Sequence, residues 1–331
     1  MFMSSVADPR AFSKESLSEK GYRKEAKLFL MGVLENTFLI VDPDGKLQEE
    51  LKRRICGLPT QQGQELSILL EEILKNKEKR IVKCLKDVFS SGIPGETLNL
   101  CYEIKEKCRT DALVASYEAI EEYNRAGKSI AEVVPLSDYS DSYFEKKRRK
   151  FLSDMPPIGQ MEDKDANEII VRIIKFTKWL RFYDKQIGKG DRLRAFRMGI
   201  SHILKLWLDQ GHFAKAVDGP VEIITSPMEY GQSDESEYVR ERKEKNNKER
   251  VEKIFSDLIK PLQKEFPWKI ELKVKKDPQN IFHARHIQAQ SAIVLFERGF
   301  DLFNNGTFKR AIIKVDNGSS KHLAEYRQLP E

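Results

Sequence analysis

His283-Ala-Arg285 sets an imidazole two residues from a guanidinium, within Asn280-Ile-Phe-His-Ala-Arg-His-Ile-Gln-Ala-Gln290. In an extended chain, alternation would put His283, Arg285 and Ile287 on one face. That pair suits a phosphate: the arginine supplies two charge-assisted hydrogen bonds, and the histidine can attack phosphorus or deliver a proton. Downstream, Arg298-Gly-Phe-Asp301 offers a second cation, although Asp301 is also a simple partner for Arg298. A different chemistry is suggested by carboxylates in the first half. Asp42 ends the run Phe38-Leu-Ile-Val41, Glu71 and Glu72 lie in Gln64-Glu-Leu-Ser-Ile-Leu-Leu-Glu-Glu-Ile-Leu-Lys75, and Asp111 precedes Ala-Leu-Val-Ala115. Carboxylates converging on one cleft hold Mg²⁺ or Mn²⁺, which positions a water and neutralises a phosphate in the transition state. Asp42, Glu71 and Asp111 are therefore candidate metal ligands and, with His283, candidate catalytic residues. His283, Arg285 and Arg298 are candidate phosphate ligands. Each acid also has a structural role open to it: Asp42 begins the turn sequence Asp-Pro-Asp44-Gly, Glu71 and Glu72 suit a solvated helix face, and Asp111 suits a helix cap. Asp44 is a spare candidate.

These residues need elements to position them. A helical pattern from Lys24 to Asn36 runs into Thr37-Phe-Leu-Ile-Val41, an apolar and β-branched run that reads as a buried strand. Lys46 to Ile55 is helical, and Gly57 and Pro59 end it. Gln64 to Lys75 is amphipathic, with Leu66, Leu69, Leu70, Ile73 and Leu74 on one stripe. Arg80 to Leu85 and Asp111 to Ala115 are further strand candidates, with a helix from Thr97 to Cys108 between them. Strands alternating with helices predict a parallel sheet covered on both faces. Residues 1–20 are polar and read as loose.

Residues 136–165 differ in composition. The basic run Lys146-Lys-Arg-Arg-Lys150 has Tyr139, Tyr143 and Phe144 nearby, and Met155-Pro-Pro157 follows. A basic run with aromatics can grip a phosphate backbone, though a solvated helix face is its commoner role. The expected organisation is an α/β domain over 20–152, a linker over 153–165 and a second α/β domain over 166–331. In the latter, Glu168 to Phe176 and Lys178 to Tyr183 read as strands and Arg192 to Leu208 as a helix. Val221 to Thr225 is a short buried strand, Glu235 to Phe266 a long charged helix, and Trp268 to Val274, Phe282 to Gln290 and Ala292 to Phe296 are strands.

The net charge of +6 permits a polyanionic partner without demanding one, because 58 basic residues stand against 52 acidic ones. The four cysteines form no Cys-x2-Cys pair, so zinc is not indicated and reduced thiols are expected. No apolar run reaches the roughly 18 residues that would span a bilayer, and the N-terminus lacks a basic segment leading into an apolar core. The chain is expected to be cytoplasmic.

Three stretches of the second half resemble the phospholipase-D-like domain found C-terminal to microtubule-interacting-and-trafficking modules. These are Arg181-Phe-Tyr-Asp184-Lys-Gln-Ile, Val221-Glu-Ile-Ile-Thr-Ser226, and Ile281-Phe-His283-Ala-Arg285-His-Ile followed by Glu297-Arg298-Gly-Phe-Asp301-Leu-Phe. The resemblance implies a phosphate-binding homodimer, with an anionic lipid surface as one possible target. The full phospholipase-D motif is His-x-Lys-x4-Asp; here Arg285 stands for the lysine, Gln290 stands for the aspartate, and one copy is present. The first half more distantly resembles the PIN-type nuclease fold, through Phe38-Leu-Ile-Val-Asp42 and Asp111-Ala-Leu-Val-Ala-Ser116. Together they imply a metal-dependent nuclease acting on RNA or DNA, with a phosphate-binding, dimerising second domain, in cellular or anti-phage defence. Two other classes stay open: a non-catalytic module that binds phosphate, headgroup or partner, and a metal-independent phosphodiesterase using His283 across a dimer.

Overall fold

The computed structural model describes residues 2–58, 60–89, 92–128, 132–150, 162–189, 192–216, 221–229, 235–277, 285–290, 292–296, 300, 303–304, 307–308 and 313–316. The chain divides into two compact units, Met1–Asp154 and Met155–Glu331.

In the first unit, strands β1 (Met3–Ala7), β2 (Thr37–Val41), β3 (Ile81–Lys83), β4 (Ala112–Ala115) and β5 (Val133–Pro135) form a sheet in the order β3-β2-β1-β4-β5. All four pairings are parallel. The expected parallel α/β arrangement is present. The loose N-terminus is not, because Met3–Ala7 is the central strand. Its composition hides it. A strand covered on both faces normally reads as continuous large apolar residues, but here Ser4 and Ser5 occupy the crowded centre and are fully buried. Ser4 is satisfied by Asp111, which accepts from both its backbone N–H and its hydroxyl at 2.8 Å.

The basic cluster lies on a largely solvated helix face, with Lys146, Arg149 and Lys150 exposed, except that Arg148 turns inward. Residues Tyr143–Lys150 form a helix that buries Glu145 and Arg148. Arg148 donates to Glu145 Oε2 at 2.6 Å, to Glu35 at 2.7 Å and to Asn36 at 2.8 Å. Burial raises the Glu145 carboxyl, but Arg148 and Arg149 outweigh it and hold the group below the ordinary glutamate range.

In the second unit, strands β6 (Leu180–Asp184), β7 (Val221–Thr225), β8 (Ile270–Val274), β9 (Arg285–Gln288) and β10 (Ile293–Phe296) form most of a mixed sheet. A small pair, β11 (Phe303–Asn304) with β12 (Thr307–Phe308), precedes the last strand, β13 (Ile313–Asp316). The order is β13-β10-β9-β6-β7-β8. Strands β6, β7 and β8 run parallel, and β9 lies antiparallel to β6. The expected strand over Glu168 to Phe176 is instead the end of a helix, Asp163–Ile174. Its β-branched residues resemble a strand, but Ala166, Ile169, Ile170, Ile173 and Ile174 recur at helical spacing and are buried, together with Val171. No helix among the described residues is long and apolar enough to cross a membrane.

The buried pair predicts unequal effects from neighbouring arginines. Arg148→Ala leaves buried Glu145 with only the half-exposed Arg149 and should cost roughly 3–5 kcal/mol in urea denaturation, whereas Arg149→Ala, at the exposed end of the same network, should cost under about 1 kcal/mol. Because the Glu145 pKa is lowered on folding, the advantage of the parent over Arg148→Ala is full above the ordinary glutamate pKa and narrows as the pH falls below it.

Candidate functional site

In a parallel sheet every strand ends on the same edge, and that edge is where open α/β folds gather polar groups. In the first unit, Asp8 and Asp42 immediately follow the adjacent strands β1 and β2. The register Met3↔Thr37 through Ser5↔Leu39 brings them level, and both are fully buried. Their oxygens are engaged by the fold itself. Asp42 accepts from the backbone N–H groups of Lys46 at 2.9 Å and Leu47 at 2.8 Å, the first turn of helix Lys46–Cys56. Gly45, at φ +82°, lets the Asp-Pro-Asp-Gly turn fold back so that these amides reach the carboxylate. Asp8 accepts from the Arg10 backbone N–H and guanidinium and from the Tyr123 hydroxyl at 3.3 Å. Arg10 also pairs with Glu122 at 2.5 Å.

The three carboxylates expected to share a metal are not brought together. Asp111 precedes β4 and is bound to Ser4 near the start of β1, so it lies at the opposite edge from Asp42. Four or five residues of strand separate those edges, about 15 Å. Glu71 and Glu72 are exposed on helix Thr60–Lys75, where Glu72 bonds with Asn76 and Lys75. Asp44 is paired with Lys86 at 3.6 Å. Sequence reasoning missed Asp8, because it needed β1 to be recognised first.

The second unit gathers a more cationic group on its carboxyl edge. Asp184 ends β6 and faces Arg285 at the start of β9. The register across β6, β7 and β8 continues this row through Thr225 to Val274. One residue further on are Lys185, Ser226 and Lys275, with Asp277 beside them. Asp184 is fully buried, and Thr225, Ser226, Lys275 and Asp277 are buried or nearly so. Asp184 accepts from the backbone N–H of Gln186 at 2.8 Å and of Phe300 at 3.4 Å, and the Arg285 Nε lies 4.0 Å from it. The Thr225 hydroxyl donates to the Ile187 carbonyl at 2.9 Å, tying β7 to the turn after β6. The Lys185 ammonium is held below its ordinary pKa by desolvation first. Lys189 and Arg285 lower it further, against the opposing pull of Asp277 and Asp184. Three cations (Lys185, Lys189 and Arg285) and two carboxylates (Asp184 and Asp277) thus share one field. Helix Leu193–Gln210 starts a short turn beyond this edge, so its positive end faces the same region. His283, Arg298 and Asp301 lie outside the described residues.

One wall of this region is a long helix. Residues Glu237–Ile254, Phe255–Ile259 and Lys260–Glu265 run on without a break, the middle piece as a π segment. The π segment has a cause: Pro261 has no N–H to donate to Asp257. Ile254, Leu258, Ile259 and Leu262 are buried. Gly188, at φ +91° in the turn after β6, has room for no side chain, since a Cβ would lie 2.4 Å from Ile254 Cδ1 and 3.2 Å from Pro227. Ile254 is therefore level with the carboxyl edge, and the 17 residues before it extend about 25 Å beyond. Following the buried stripe back past Ile254, the apolar residues give way to Arg250, Asn247, Lys243 and Arg240 at helical spacing. Arg250 donates to the Pro227 carbonyl at 3.1 Å, and Asn247 bonds both to the Glu229 N–H and to its carbonyl at 2.8 Å. Lys243 pairs with Glu235.

No family model, no curated protein and no solved structure matches the chain.

The capping role of Asp42 has a measurable consequence. Asp42→Ala should lower stability by roughly 0.5–2 kcal/mol, the cost of a lost N-cap, and by the same amount in EDTA as in excess Mg²⁺. A loss that appears only with the metal present would return Asp42 to metal binding.

Proposed function

We propose that the second unit binds the phosphodiester backbone of a single-stranded nucleic acid at the carboxyl edge of β6, β7 and β8. The observation that carries this is the Lys185, Lys275 and Arg285 group, set against buried Asp184 and Asp277. Arg285 offers a phosphate the planar fork that carboxylates and phosphates share. Lys185 and Lys275 supply compact charges, and the start of helix Leu193–Gln210 adds its partial positive charge. Asp184 and Asp277 keep these cations oriented and limit their mutual repulsion when no ligand is bound.

A polymer suits the surroundings better than an isolated phosphate. The helix wall projects well past the cluster and carries seven basic residues against five acidic ones over Glu237–Ile254. Successive backbone phosphates would run from Arg285 towards Arg240, with Arg250 and Lys243 between. This reading retains the phosphate-holding part of the phospholipase-D likeness, with His283 beside Arg285 in sequence. Cleavage by a metal on Asp42, Glu71 and Asp111 draws no support from where those residues lie, so the function proposed is binding.

The test is fluorescence anisotropy of labelled single-stranded RNA and DNA 12-mers with the full chain, across a salt series. Neutralising four phosphates, one each at Arg285, Arg250, Lys243 and Arg240, predicts a slope of log K against log salt near −2.8, at about −0.7 per phosphate. Arg285→Ala should weaken binding on the order of tenfold or more, as for a lost hydrogen bond to a charged group, and Lys185→Ala should weaken it by a smaller factor. Absence of oligonucleotide binding, with vesicles of phosphatidylserine bound instead, would replace this reading by headgroup recognition. Binding that ignores salt and both substitutions would remove the site.

A further inference from the structure

Two thiols in the first unit are closer than packing requires. Cys84 follows β3 directly, and Cys108 closes the C-terminus of helix Thr97–Lys107. Their Sγ atoms are 2.9 Å apart, and both side chains are buried. Non-bonded heavy atoms rest at roughly 3.5–4.0 Å, and sulfur is larger than carbon. The separation is within about 0.9 Å of a disulfide bond length near 2.05 Å. The other two cysteines differ: Cys56 is exposed, and Cys101 is fully buried in the middle of the same helix. Only this pair is placed to react with itself.

We propose that Cys84 and Cys108 close reversibly to a disulfide when the protein meets a peroxide. One thiolate attacks a peroxide oxygen, the O–O bond breaks, and a sulfenic acid and water form. The second sulfur then attacks the sulfenic sulfur, and a second water leaves. Hydrogen peroxide is reduced to two waters, and the two thiols are oxidised with the loss of two hydrogens. A dithiol reductant reverses the step by exchange.

The bond would join two elements that flank the carboxyl edge of the first unit. The Cys84 N–H donates to the Val41 carbonyl at 2.9 Å, one residue before Asp42. Helix Thr97–Lys107 carries Cys101, whose thiol feels the charges of Asp8 and Asp42. Oxidation would therefore fasten the residue after β3 to the C-terminal end of the helix that leads into β4. Pairing with Cys108, then burial, pushes the Cys84 thiol far above its usual pKa. Thiolate is scarce at neutral pH, so closure is slow and speeds up as the pH rises.

The experiment uses the full chain carrying Cys56→Ser, which removes the exposed thiol and leaves three of the four. After hydrogen peroxide, denaturing thiol titration should fall from three to one and the intact mass should drop by about 2 Da. Peptide mapping should join the Cys84 and Cys108 peptides, and dithiothreitol should restore all three thiols. The oxidised form should also melt higher, because a cross-link restrains the unfolded chain. Cys108→Ser should abolish the bridge; if that variant does not fold, the peptide map alone decides. Three thiols surviving peroxide, a bridge to Cys101, or oxidation that ends as sulfinic acid on one cysteine would each overturn the proposal.

Discussion

Parallel pairing is the constraint on which both units depend. Strands joined by helical crossovers all end on one edge, and the residue after each strand is delivered to that edge whatever its chemistry. In the first unit this brings Asp8 beside Asp42, and in the second it lines up Asp184, Thr225 and Val274. The antiparallel strand β9 adds Arg285 to the second row from the other direction. A fully parallel sheet could not place a strand's first residue there.

The two edges spend their charges differently. Asp42 and Asp8 are held by backbone amides, a tyrosine and an arginine of their own unit. Such carboxylates fix turns and start helices, and burial is tolerable because each oxygen has a donor. On the second edge, Lys185 is held below its ordinary pKa by desolvation first, with Lys189 and Arg285 opposed by Asp277 and Asp184. Elsewhere the second unit balances its charges closely: buried Glu222 on β7 is bonded to both Arg181 and Lys273.

Much of the fold was legible in the sequence. Thr37–Val41, Val221–Thr225 and helix Lys46–Cys56 follow directly from apolar periodicity and turn signals. The failures have physical causes. Strand β1 carries two serines where a central strand usually carries large apolar groups, and Ser4 is made acceptable only by Asp111, 107 residues away. Asp163–Ile174 looks like a strand because isoleucine and valine favour strands, and only its spacing shows the helix. Within the basic run at 146–150 the burial of Arg148 was not legible, because two of its partners, Glu35 and Asn36, are over a hundred residues distant. Of the candidate sites, Arg285 was legible from local sequence. Asp8, Lys185 and Lys275 were not, since only the strand order makes them neighbours of anything chemical.

The most direct test is to map amide chemical shifts of the full chain while a short phosphodiester, a dinucleotide, is titrated in. The account predicts that the moving signals cluster on Lys185, Ser226, Lys275 and Arg285, at the carboxyl edge of the second sheet. Shifts confined to the turns after Asp8 and Asp42 would contradict it, and would move the ligand to the first unit.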